Sequence, residues 1–419
     1  MMKRREFLKQ AAIAGVTLGV GRKMFGAGSP AAPASGESVI VLVNLYGGND
    51  GINTVIPLDQ YDRYRTLRPV LSYKQEDVLS LAGVSEVGLN PGLTAIRDLY
   101  NQGRVAIING VGVPQEASGL FDHAAGQYEF QSCDIVRSAT SAPPSGWLGR
   151  YLDSAPAGLV SSGIDMGGGR LVVTGTTFTP VTITTIDQFQ LNLSFDSDAR
   201  MIAYRGIADI PSTASDAAER NRQLRQEALP QSDIIIERTE NYQPLAQYPE
   251  DSWFGYQLQQ CASLINADLG IRVLTVGSSG YDTHSGQDSA VDNGSLGYHD
   301  SLLQDVSDSI GAFYADLAAH GVSNRVLILT ISEFGRRAYE NNDHGTDHGF
   351  SSVAFAIGDP VKGGVYGDYP SLSRDDLVLD GNTDVTTDFR SLYATVATRY
   401  LDADPVPLVG GSFPQLDFL

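Results

Sequence analysis

Apolar runs that end in polar clusters recur along the chain. Val39 to Leu45 reads Val-Ile-Val-Leu-Val-Asn-Leu. It lacks the alternation of a half-solvated strand, which predicts a strand covered on both faces. Arg104 to Asn109, Ile271 to Val276, Arg325 to Ile331 and Val353 to Ile357 repeat the pattern in shorter form. Between these runs, apolar residues recur at helical spacing around Leu93 to Asn101, Phe254 to Ala267 and Leu296 to Ala319. Strand and helix signals in alternation predict an α/β fold, a three-layer sandwich with a largely parallel sheet. Residues 155 to 250 break the rhythm, being rich in Ser, Thr, Gly and Asp. With a short β-like stretch at Leu171 to Thr174 and a polar helix around Ser215 to Ala228, this segment is expected to be an insertion or cap on a single domain spanning residues 36 to 419.

The first 35 residues obey another logic. Arg4, Arg5, Phe7 and Leu8 precede a weakly apolar stretch, Ala11 to Val20, and then small residues such as Ala27, Ala32 and Ala34. This arrangement resembles a twin-arginine export signal, which implies the twin-arginine translocase as a partner and a periplasmic or secreted destination. That route carries folded proteins, often with a metal already loaded.

The 419 residues are 42% hydrophobic and 19% charged, enough for a packed core and a poor fit to disorder or to a membrane span in the mature chain. Net charge sharpens the picture. Residues 1 to 35 carry six basic side chains and Glu6, so without them the formal charge of −20 becomes −25. A surface that acidic repels nucleic acid and anionic lipid. Cys133 and Cys261 have no metal-ligand spacing to another cysteine; they could pair in an oxidising compartment, but folding before export favours two buried thiols.

Open α/β sheets bind ligands beyond the carboxyl ends of their strands, so residues placed just after a strand are candidates for chemistry. Asp50 comes after the first, Asp282 and His284 after Ile271 to Val276, and Glu333 after the strand that ends at Ile331. "NNDHGTDHG", residues 341 to 349, comes just before Val353 to Ile357 and holds two of the chain's six histidines. Carboxylates and neutral imidazoles together suit Zn, Mn or Fe, as one ion or two. Within that loop Thr346, Asp347 and His348 are expected to carry the chemistry, with Asp347 orienting the histidine, while Asp343 and His344 shape the turn. Arg336 and Arg337 are either an anion clamp or ordinary ion pairs. His299 reads as a surface or supporting residue, and His320 as structural at a helix end.

The motifs "NLYGGNDGINTVIP", "GYDTHSGQ", "LTISEFGRR", "GTDHG", "VKGGVYG" and the closing "TTDFRSLYATV" with "LVGGSFPQLDFL" resemble the bacterial exported family called domain of unknown function 1501. They cover most of residues 38 to 150 and 255 to 419. That family is similar to the alkaline phosphatase and sulfatase superfamily. The resemblance implies its fold, a divalent metal site of one or two ions, and hydrolysis of phosphate or sulfate esters, with a small anionic ester or glycan as substrate. It makes Asp50, Asp282, His284, Glu333 and His348 the metal ligands. It also makes Ser118 the nucleophile, in "GVPQEASGLFDHAAGQYEF", with Asp122 and His123 facing the same site. Two departures stand out: Asp282 and His284 are two apart rather than four, and Phe334 comes after Glu333 where the superfamily has a histidine. The alternative is a non-catalytic, metal-stabilised envelope protein acting in binding or assembly.

Overall fold

The computed structural model describes residues 37–114, 121–135, 144–186, 206, 216–287, 296–379 and 381–419. The export-signal segment and Ser118 lie outside the described residues. Among the described residues the central sheet has nine strands. Eight of them are β1 (Val39–Tyr46), β2 (Val105–Gly112), β3 (Gly163–Asp165), β4 (Val181–Thr182), β5 (Val273–Ser279), β6 (Val326–Ser332), β7 (Ser351–Ile357) and β8 (Gly364–Tyr366), ordered β8-β2-β7-β6-β1-β5-β3-β4. The ninth, Thr387–Asp388, pairs with β2. β1 lies mid-sheet, parallel to β5 and β6, and among the described strands of this sheet only β7 runs against its neighbours.

Alternation along the strands sorts side chains between two helical layers. Val39, Val41, Val43 and Leu45 of β1 join one core with α1 (Thr94–Asn101), α5 (Trp253–Asn266) and α6 (Tyr298–Ala319). Ile40 and Leu42 point the other way, into a core with α2 (His123–Ser132), α3 (Trp147–Leu152) and α7 (Phe389–Arg399). A strand covered on both faces has no polar side to show, which is why β1 reads as an unbroken apolar run. Cys261 sits in the first core and Cys133 in the second, both free and buried on opposite sides of the sheet.

The middle segment differs from its sequence reading. Gly163–Asp165 and Val181–Thr182 pair into the central sheet as its edge, so part of the expected insertion or cap extends the sheet itself. The β-like stretch at Leu171 to Thr174 is instead a helical turn, Arg170–Val173. A run of three apolar residues and a threonine fits either state, and burial of Val172 and Val173 in the second core decides it. The polar helix, α4 (Asp216–Thr239), continues through Pro230 well past Ala228.

Candidate metal centre

The loops that leave β1, β5 and β6 converge at one end of the sheet, and a buried guanidinium binds them together. Arg336 is fully buried. It donates from Nε to the Gly48 carbonyl at 2.7 Å, from Nη1 to Thr346 at 2.8 Å, and from Nη2 to Gly47, to Tyr281 at 2.9 Å and to Asp282 Oδ1 at 2.8 Å. Each of its three nitrogens is engaged by these loops, so Arg336 is a staple rather than an anion clamp. Arg337 is half-buried, and its backbone N–H donates to the Asp347 carbonyl. Glycine permits the close approach of the loops. Gly47 has φ +120°, and a Cβ there would lie 2.3 Å from the Asp282 nitrogen; one on Gly345 would lie 2.3 Å from the His284 carbonyl carbon.

Within this frame three imidazoles and a carboxylate meet. Ligand atoms of His123, Asp282 and His348 all lie within 4.8 Å of one another. His284 Nε2 adjoins them, 2.9 Å from His348 Nε2 and 3.2 Å from Asp282 Oδ1. His348 Nε2 is 3.0 Å from Asp282 Oδ1, and His123 Nε2 is 3.4 Å from Asp282 Oδ2. Donors bound to one tetrahedral ion at about 2 Å are about 3.3 Å apart, so these separations suit a single cation.

The other ring nitrogens settle which atoms face inward. His348 Nδ1 donates to the Phe121 carbonyl at 2.7 Å; since a carbonyl only accepts, Nδ1 carries the proton and Nε2 is left with its lone pair in the neutral ring. His123 Nδ1 pairs with Glu333 Oε1 at 2.6 Å, and His284 Nδ1 with Asp347 Oδ1 at 3.2 Å. A carboxylate or carbonyl behind each imidazole is the arrangement that orients metal-binding histidines and raises their basicity. Burial lowers the His348 pKa, against the pull of Asp282 and Phe121, which favours the neutral ring. Partial burial pushes the Asp282 carboxyl up, but the hydrogen bond from Arg336 and the charge of that guanidinium bring it down to about 2. The lone pairs of His284 and His348 thus face each other and an ionised carboxylate across a gap that a cation fits. Solvent reaches the cluster from one side, with Asp282 and His284 each 46% exposed.

The expected site residues separate into groups. Asp282, His284 and His348 lie together at the centre. Glu333 is beside it but turned to His123, and it accepts from Gln127 Nε2 as well. Asp347 orients a histidine as anticipated, although that histidine is His284 rather than its neighbour His348. Asp50 is not in the cluster: buried, it caps the helical turn Gly51–Thr54 and accepts from Arg68 and Gln287. His123, expected to face the same site, joins the cluster and opens α2 behind the N-cap Asp122. Phe334, standing where a histidine was expected, packs its ring 4.4 Å from that of His348 and 5.1 Å from that of His123. His299 is fully buried rather than at the surface, with Nε2 3.0 Å from Asn49 Oδ1. His320 lies at its helix end, 3.4 Å from buried Asp316.

The family described as "Protein of unknown function (DUF1501)" matches residues 136–405, a span holding Asp282, His284, Glu333 and His348. No curated protein matches the chain. Similar solved structures include Ps i-CgsB in complex with k-i-k-neocarrahexaose, at 10% identity over 90% of this chain and 73% of that one, with a TM-score of 0.39. The PsFucS1 sulfatase from Pseudoalteromonas sp. shares 12% identity over 90% and 68% of the two chains, with a TM-score of 0.35. A protein in the alkaline phosphatase superfamily from Vibrio parahaemolyticus shares 10% identity over 85% and 69%, with a TM-score of 0.30.

Proposed function

Since the chain belongs to the family described as Protein of unknown function (DUF1501), whose name assigns no reaction, we propose from its own residues that it is an exported, metal-dependent hydrolase of phosphate or sulfate esters. One observation carries the reading: His123, His284 and His348 present Nε2 atoms to Asp282, and each ring is fixed from behind by Glu333, Asp347 or the Phe121 carbonyl. A bound divalent ion would supply Lewis acidity toward an ester oxygen. The chain's part is to hold these donors in register, with Arg336 fixing Asp282 and the loop glycines letting the segments touch. Exposure of Asp282 and His284 leaves an approach for substrate. Ser118 is the proposed nucleophile, and the export signal is proposed on Arg4 and Arg5.

The test is turnover of an aryl phosphate and an aryl sulfate by protein loaded with zinc, manganese or iron(II). Asp282→Ala and His348→Ala should lose both bound metal and turnover, whereas Ser118→Ala should lose turnover and keep the metal. Turnover that survives Asp282→Ala would remove the centre from the reaction. Export should stop when Arg4 and Arg5 are both changed to Lys.

His284 favours a second reading. As a fourth protein donor it can close the coordination shell, the habit of structural rather than catalytic zinc. On that reading the protein binds or assembles other envelope components, metal raises its melting temperature, and no variant turns over either ester.

A further inference from the structure

Asp50 stands where the superfamily resemblance implies a metal aspartate, yet this chain supplies that carboxylate with a cation of its own. Arg68 Nη1 donates to Asp50 Oδ2 at 2.6 Å and to Asn53 Oδ1 at 2.8 Å. Gln287 Nε2 donates to the same Asp50 oxygen at 2.5 Å, and the Asn53 backbone to the other. Both side chains of the ion pair are 0% exposed. Arg68 is also locked from behind, with Nε on the Ala338 carbonyl and Nη2 on that of Arg337. Arginine does not deprotonate in proteins, so the positive charge here is permanent.

We infer that the centre takes one divalent ion per chain, on His123, Asp282, His284 and His348, and that Arg68 stands in for a second ion beside Asp50. This rests on the metal-centre reading above and narrows it. The neighbouring carboxylates are committed: Glu333 to His123 and Gln127, Asp347 to His284 and Asn341. A second dication at Asp50 would also meet two fully buried guanidinium groups, Arg68 and Arg336, in place of free anionic oxygens. The two arginines already balance the negative charges of Asp50 and Asp282. A clamp of two ions on one ester is therefore not the chemistry of this site; its second positive charge is organic and fixed.

Metal-free protein dialysed to equilibrium against zinc(II), then analysed for zinc per chain, decides the matter. One equivalent is expected for the wild type. One is also expected for Asp50→Asn and for Asp50→Asn combined with Arg68→Met, which removes the buried pair together. Asp282→Ala should lose that equivalent. Two equivalents in the wild type would overturn the inference and leave the metal centre standing, and the wild-type count alone decides this if the Asp50 variants fail to fold. No bound zinc at any concentration would overturn the metal centre and this inference with it.

Discussion

Replacing Arg336 by Met keeps much of the side chain's bulk and removes every hydrogen bond that its guanidinium makes to the loops at the centre. Four backbone carbonyls, those of Gly47, Gly48, Tyr281 and Thr346, lose a charged donor. Each loss costs on the order of 1 kcal/mol or slightly more. The link to Asp282 adds little, because that carboxylate is 46% exposed and water can replace the guanidinium. The sum is about 4 to 6 kcal/mol. At roughly 2 cal/mol/K of unfolding entropy per residue, a chain of this length loses about 1 °C of Tm per kcal/mol, so a drop of about 4 to 6 °C is expected by calorimetry on metal-free protein. Zinc affinity should fall as well, since Asp282 and His348 sit on loops that Arg336 pins. Arg336→Lys keeps the charge but cannot span the same acceptors, and should fall between. A Met variant that melts within a degree of wild type and binds zinc as tightly would refute the staple.

The same geometry sets three further outcomes. Glu333→Ala should weaken zinc binding about 10- to 100-fold by freeing the His123 ring, with a smaller loss for Glu333→Gln, as read by competition with a chelator. Burial pushes the Asp50 pKa up, but Arg68, His299 and Gln287 outweigh it and hold the folded-state value below the ordinary 3.8. The stability it contributes is therefore fully present above that value and is lost as pH falls through the depressed one, so acid melting curves should steepen below about pH 4 and flatten there in Asp50→Asn. Cys133 and Cys261, buried on opposite faces of the sheet, should resist thiol reagents until the protein is unfolded and then both react.

Sequence pattern located the main strands to within a few residues, because strands buried on both faces must be apolar throughout and β1, β5 and β6 are of that kind. It failed at Leu171 to Thr174, where three apolar residues and a threonine carry no period. In the centre, Asp282, His284 and His348 were legible from their places after strands and in the "GTDHG" loop. Asp50 shares that position, but its partner Arg68 lies in a segment with no motif of its own, and only folding reveals that the pair excludes solvent. Glu333 and Phe334 were read as a ligand and a missing ligand. The turn after β6 instead aims the carboxylate at His123 and lays the phenyl ring against two imidazoles. Roles of that kind depend on which way a side chain faces, and linear spacing does not record it.

The partners at the centre are far apart along the chain: His123 and Glu333 are separated by 210 residues, and His348 and Phe121 by 227. In the unfolded chain, closing loops of that length is entropically costly, so the scattered histidines would hold a cation only weakly. Stabilisation by metal then reaches the folded state almost undiminished by binding to the denatured one. For the metal centre proposed above, metal content would then be a gauge of completed folding. A chain whose sheet is paired from β1 through β7 would be able to retain an ion, and one stalled before β7 forms would have His348 still adrift and no cage to fill.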